Sequence, residues 1–116
     1  MTPAALVDEF ASHVEAQTDA IFRGDSKTGN KHAKKYQAAM RKLRELGDEG
    51  REALTVLLKH SRMDVRVAAA AYLLRYRTHE AKAVLEHAAG GEGLAVFEAS
   101  EVLKRWEEGA WNLDPA

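Results

Sequence analysis

Residues 64–74 read DVRVAAAAYLL, and a helical period spreads the apolar side chains of this stretch over nearly every side of a helix. After Asp64 the stretch contains no further acidic residue. A helix that is apolar on all sides is stable in water only when other helices cover it. The stretch therefore predicts an all-α fold in which this helix lies in the middle of a stack.

The sequence on both sides of this stretch predicts five more helices, six in all. Each prediction combines an apolar stripe with a polar N-cap residue or a C-terminal glycine. The signals run from Thr2 to Gly24, from Asn30 to Gly47, from Asp48 through Leu58, from Asp64 to about Arg77, from Thr78 through Ala88, and from about Leu94 to Gly109.

The last four helices read as two imperfect copies of one helical hairpin. Leu57-Leu58 recurs as Val84-Leu85, and Leu73-Leu74 recurs as Val102-Leu103. Stacked hairpins bury their apolar stripes only against their neighbours. We therefore expect three antiparallel hairpins in a short α-α superhelix, forming a single domain over residues 1–116.

Two resemblances accompany this pattern. Asp64-Val65-Arg66, followed by Ala69-Ala70 and Leu73-Leu74, resembles the second-helix signature of HEAT repeats, although the spacing is shorter than their usual roughly 40 to 47 residues. The whole chain also resembles a small bacterial family of HEAT-like domains of unknown function. The matching segments are Gly24 through Asn30, Leu57 through His60, Val65-Arg66 with Ala69-Ala70, Glu80-Ala81 with Val84-Leu85-Glu86, and Ala99 through Leu103 with Trp106 and Gly109. The resemblance implies an all-helical fold. The family has no established activity, so the resemblance assigns no functional residue in this chain.

Composition excludes several classes of protein. The chain has 46% apolar and 30% charged residues, which is ordinary for a globular domain, and no cysteine, which excludes disulfides and thiolate chemistry. Its first residues lack the basic and apolar regions of a signal peptide, and no stretch is long and apolar enough to span a membrane. We therefore expect a cytoplasmic protein.

The net charge of −1 conceals an uneven distribution. The segment from Arg23 to Leu46 carries a net charge of +6, and the remainder of the chain carries −7. The second helix therefore has a basic side opposite its apolar stripe. Such a side is either a surface for an anionic partner or the solvated face that any surface helix needs.

No group of residues in the sequence indicates catalysis. The five histidines show no metal-binding spacing, and Glu9 with His13 falls on what reads as the outer side of the first helix. No serine has a nucleophile context, and the glycines at 90–93 match no phosphate-binding loop. We expect no enzymatic activity, no metal and no cofactor.

The main functional hypothesis is a non-catalytic protein-protein interaction module, for example a bacterial immunity or antitoxin-type inhibitor. The alternative is nucleic-acid binding through the basic helix at 31–46, and a third hypothesis is a purely structural subunit or homodimer; the sequence does not specify the oligomeric state. Arg66 is also expected to pair inside the stack, and Phe97 and Trp111 fall off the core stripes. The candidate partner-binding residues are Asp25, Lys27, Asn30, Lys31, Lys34, Lys35, Arg66, Phe97 and Trp111.

Overall fold

The computed structural model describes residues 2–110, and the all-α prediction is confirmed over this range. Six α-helices and one 3₁₀ helix occupy most of it, and no strand occurs between Thr2 and Ala110. The α-helices are α1 (Pro3–Phe22), α2 (Ser26–Glu45), α3 (Asp48–Leu54), α4 (Met63–Leu73), α5 (Thr78–Ala89) and α6 (Leu94–Glu107). The 3₁₀ helix (Thr55–Lys59) lies between α3 and α4.

The chain divides into two compact units, the first ending at Leu54 and the second beginning at Thr55. The first unit contains α1, α2 and α3, and the second contains the 3₁₀ helix with α4, α5 and α6. The arrangement predicted for the whole chain as one domain stays a prediction.

In the first unit, α1 and α2 form a helical hairpin. Gly24 turns the chain between them with a φ of 76°, a left-handed conformation that favours glycine. The core of the hairpin is formed by Leu6, Phe10 and Val14 of α1 with Met40 and Leu43 of α2, all of them buried. The short helix α3 packs against both.

In the second unit, α4 is largely buried. It packs against the 3₁₀ helix, α5 and α6, and α5 and α6 form a further hairpin. Val65, Ala69, Ala70 and Leu73 are completely buried, and no residue between Met63 and Leu74 is exposed. The prediction that this alanine-rich helix lies wedged among other helices is confirmed.

Four predicted helix boundaries are wrong, three of them in α2 and α4. The helix α2 begins at Ser26 with Asp25 as its N-cap, so Asn30 lies inside the helix. The helix α4 begins one residue before Asp64 and ends at Leu73 instead of Arg77, since Tyr76 and Arg77 both donate backbone hydrogen bonds to the Leu73 carbonyl in a closing turn.

The fifth helix is shifted in the same way. Thr78 is the first helical residue of α5, and Arg77 occupies the N-cap position. The Thr78 hydroxyl donates to the Leu74 carbonyl, so it ties the start of α5 to the end of α4.

Between Thr2 and Ala110, no helix is both long enough and apolar enough to cross a lipid bilayer.

Candidate functional site

The outward side of α2 carries six exposed basic side chains, which we call the basic face. They are Lys27, Lys31, Lys34, Lys35, Arg41 and Lys42. The opposite side of the same helix is buried, with Gly29, Ala39, Met40 and Leu43 against the rest of the first unit. Helical periodicity thus separates the charged residues of α2 from its apolar ones, and the basic face is directed to solvent.

The helix α2 itself has little negative charge to balance the basic face. Glu45, at the C-terminal end, is the acidic residue of α2. Arg44 is half-buried and engaged in other interactions, so we do not count it in the basic face. The first four turns of α2 therefore present positive charge without an acidic neighbour on the same helix.

Asp25 has a structural role at the start of α2. Its Oδ1 accepts the backbone N–H of Thr28 at 3.1 Å, which satisfies one of the free donors of the first turn. Hydrogen bonding to Thr28 lowers the pKa of Asp25, with a smaller contribution from Arg23. Asp25 thus supports the basic face by fixing where α2 begins, and Asn30 is an exposed residue one turn into the helix.

The aromatic ring of α2 is directed inward. Tyr36 is half-buried and meets Phe10 of α1 edge to face, with ring centroids 5.6 Å apart and an interplanar angle of 78°. This ring is therefore part of the hairpin packing, and it is not placed beside the basic face as a stacking platform for a base.

His13 and His32 meet between α1 and α2, a contact that the sequence analysis missed. Their Nδ1 atoms lie 3.0 Å apart and their rings stack with centroids 5.2 Å apart. Both side chains are half-buried. The expectation that His13 lies on the outer side of the first helix is therefore wrong. No spacing rule could have found the pair, because the two residues belong to different helices.

The pKa of His13 is lowered by its surroundings. The largest cause is burial, followed by His32 and Lys35, and the Glu9 carboxylate acts in the opposite direction. Within residues 2–110, no group of three or more histidine, aspartate or glutamate side chains is placed to hold a metal ion. The expected absence of a metal and a cofactor stays a prediction.

Arg66 is engaged within its own unit. Its Nη1 donates to the backbone carbonyl of His60, and its Nη2 lies 3.2 Å from Met63 Sδ. It thereby ties the beginning of α4 to the end of the 3₁₀ helix. The expected partner was a carboxylate or carbonyl of the adjoining repeat, whereas the observed acceptor is the His60 carbonyl just before α4.

An ion pair lies at the same turn, and a glutamate of α6 is influenced by it. Arg62 Nε and Nη2 donate to the two carboxylate oxygens of Asp64 at 3.1 and 3.0 Å, a bidentate pair. On α6, Glu98 keeps access to solvent, yet partial removal from water and, second, the Asp64 carboxylate raise its pKa.

Phe97 is directed to solvent from α6. It is 70% exposed, although it is a large apolar residue. Other exposed apolar side chains are Ile21, Phe22, Leu46 and Val56. An exposed aromatic side chain is compatible with a monomer surface and with an anchor at an interface.

The structure brings some of the predicted partner-binding residues together. Asp25, Lys27, Asn30, Lys31, Lys34 and Lys35 occupy the start and first turns of α2. Arg66 and Phe97 belong to the second unit, on α4 and α6. Trp111 lies outside the described residues. Lys42 and Arg41 were recognised as basic in the sequence, and the structure adds them to the same exposed face.

The fold matches a solved structure. The crystal structure of the protein RPA1889 from Rhodopseudomonas palustris is similar to this chain with a TM-score of 0.91, over 98% of this chain and 95% of that one. The two sequences are 23% identical, so the likeness shows the fold alone. No protein-family profile matches the chain, and no curated protein sequence matches it.

Proposed function

We propose that this protein is a non-catalytic interaction module that binds an acidic surface of another protein through the basic face of α2. The observation that carries the proposal is the exposure of all six basic side chains on one side of a helix whose other side is anchored in the core. Exposed like charges on a rigid helix raise the association rate with a partner of opposite charge and restrict the choice of partner.

The specific form that we propose is an inhibitor of another bacterial protein, of the immunity or antitoxin kind. The exposed basic face on a small helical protein supports this form. An inhibitor that covers the active site of an enzyme needs a surface of complementary shape and charge, and it needs no catalytic residues. We further propose that the helical hairpins are divergent HEAT-like units, supported by the hairpin of the 3₁₀ helix with α4 followed by the hairpin of α5 with α6.

Nucleic acid is the second candidate partner. The run of basic side chains from Lys31 to Lys42 without an intervening acid favours it, since contacts to phosphates need such an array. The inward position of Tyr36 favours a protein partner instead, because binding of single strands relies on exposed aromatic rings.

The test compares three versions of the full chain. The first is the wild type, and the second carries Lys31→Glu and Lys34→Glu on the basic face. The third is a matched control with Lys59→Glu and Lys104→Glu, two exposed lysines of the second unit. Lys35 is left unchanged because it influences His13. Since all substituted residues are exposed, each changes stability by no more than about 0.5 kcal/mol.

Each version is immobilised and incubated with extract of the native host, and the retained proteins are identified. We expect one protein that binds the wild type and the control variant and is lost with the basic-face variant. Its affinity, measured with purified components, should fall as salt is raised. A retained set that is the same for all three versions contradicts the proposal. Retardation of duplex DNA or RNA by the wild type, steeply reduced by salt, supports the second candidate.

A further inference from the structure

His13 and His32 are placed so that one imidazole donates a hydrogen bond to the other. The Nδ1 atoms are 3.0 Å apart, which is the distance of an N–H donor to a nitrogen acceptor, and the rings are inclined by only 29°. A neutral imidazole has one donor and one acceptor nitrogen, so one ring must hold the proton on Nδ1 and the other must keep it on Nε2. The contact therefore depends on how many protons the two rings carry.

The surrounding packing holds the two rings at this distance. Phe10 lies one turn before His13 on α1, and Tyr36 lies one turn after His32 on α2. These two aromatic rings meet edge to face across the same helix pair. This contact and the buried core below it fix the two helices, so the backbones that carry His13 and His32 are held next to each other.

The proton count decides the sign of the interaction. When both imidazoles are neutral, or when only one of them carries an extra proton, a proton lies between the two Nδ1 atoms and the hydrogen bond is kept. With two added protons, both Nδ1 atoms are donors and no acceptor remains between two positive rings. Two like charges at this distance repel each other, so the fully protonated pair opposes the packing of α1 against α2.

The charged neighbours act in both directions. On α1, Glu9 lies one turn before His13 and favours its protonated form. On α2, Lys35 disfavours it, as does His32 itself. The helix α3 also packs on this hairpin, and its charged side chains do not contribute to the shift of His13. Together with burial, the larger influence, these groups lower the pKa of His13.

We propose that the His13–His32 pair is a proton-responsive contact that joins α1 to α2 near neutral pH and weakens the hairpin when both rings become protonated in mildly acidic solution. The contact gives the first unit a pH dependence separate from that of its carboxylates. This inference does not depend on the proposed function.

The direction of the pH effect follows from proton binding. The ordinary pKa of histidine is 6.5, and the folded protein resists the second proton more than the unfolded chain does. The unfolded chain then binds more protons at mildly acidic pH, so the stability of the folded state rises with pH in this range. The contribution of the pair to the stability of the folded state is fully present above pH 6.5. It is lost as the pH falls through the lowered pKa of His13.

The first measurement is an NMR titration of the five imidazole rings in the wild-type chain. We expect His13 to titrate with a pKa below the ordinary 6.5, because its ring is partly removed from water and contacts a second imidazole at Nδ1. In the variant His32→Asn, which keeps a hydrogen-bonding group near the Nδ1 position and does not titrate, His13 should titrate in one step at higher pH. A His13 pKa that is at or above 6.5 in the wild type and is unchanged in His32→Asn would overturn the proposal.

The second measurement is the midpoint of thermal unfolding between pH 5 and pH 8. The wild type should lose stability toward pH 5, and His32→Asn should lose less over the same range. The matched control is His79→Asn, which replaces an exposed histidine of α5 and should follow the wild-type curve. If the His32→Asn and wild-type curves remain parallel, the pair has no role in the pH dependence. The titration of the wild type decides the matter if His32→Asn does not fold.

Discussion

Gly50 of α3 lies against the backbone carbonyl of Leu43 in α2. A Cβ atom at position 50 would be 1.9 Å from Leu43 O and 2.7 Å from its carbonyl carbon. Side chains can rotate away from such a clash, whereas a helix backbone cannot without shifting the helix. The absence of a side chain at Gly50 is therefore what allows α3 to approach α2 at this point.

The variant Gly50→Ala should be destabilised by about 1–3 kcal/mol, because α3 must move away from α2 to accommodate the methyl group. The measurement is the midpoint of urea unfolding followed by circular dichroism. An unchanged or increased midpoint would show that α3 adjusts at no cost, which contradicts the close contact.

Gly29 gives the opposite prediction and serves as the matched control. It lies inside α2, where a Cβ would meet Ile21 Cγ1 at 3.5 Å and Gln17 O at 3.7 Å, ordinary contact distances. Because alanine has a higher helix propensity, Gly29→Ala should stabilise the protein by up to about 1 kcal/mol. The same urea series measures it, and a loss of stability would mean that α1 and α2 pack more tightly at this point than the distances indicate.

Asp25 predicts a pH dependence at lower pH than the histidine pair. Its lowered pKa means that the folded state favours the carboxylate, so its contribution is present above the ordinary value of 3.8 and is lost as the pH falls below it. Asp25→Asn keeps an N-cap acceptor without this titration, so its unfolding temperature should fall less than that of the wild type between pH 4 and pH 2.5.

Asp25→Ala removes the acceptor altogether and should be less stable than Asp25→Asn at pH 7. The comparison of the two variants separates the cap hydrogen bond from the charge. Equal stability of both at pH 7 would argue that the Thr28 N–H finds another acceptor.

We expect substitution of Arg66 to lower the stability of the folded state more than substitution of an exposed arginine does. Arg66→Met keeps the length of the side chain and removes the donors to the His60 carbonyl, so it should cost about 1.5–3 kcal/mol. The control is Arg105→Met on α6, whose exposed pair with Glu101 contributes at most about 0.5 kcal/mol. Chemical unfolding of both variants checks the difference, and equal losses would contradict a structural role for Arg66.

The alanine-rich stretch was enough to predict the helical fold, because a helix without a polar side leaves few alternatives. The start of α2 was predicted wrongly for a physical reason. Asp25 and Asn30 are both good N-cap residues, and Gly29 reads as a break in a helix. Packing of Gly29 against α1 offsets its low helix propensity, and such tertiary contacts are not visible in the local sequence.

The candidate site divides in the same way. The basic side chains of α2 could be predicted as one face, since a 3.6-residue period and charge alone define it. The contact of His13 with His32 could not, because it depends on the rotation of α1 relative to α2 about the hairpin. The engagement of Arg66 by the His60 carbonyl likewise depends on the path of the 3₁₀ helix, which no sequence pattern specified.

For Phe97, a role in binding can be measured separately from a role in stability, because the side chain is exposed. With 70% of its surface exposed, Phe97 contributes little to the core, so Phe97→Ala should change stability by no more than about 0.5 kcal/mol. The completely buried Leu85 of α5 is the contrast, and Leu85→Ala should cost about 2–5 kcal/mol. If Phe97 anchors the partner, Phe97→Ala should release the protein captured by the wild type while its unfolding midpoint stays unchanged. Full retention of that protein would remove Phe97 from the binding surface, and a large loss of stability would show that the ring packs against the second unit.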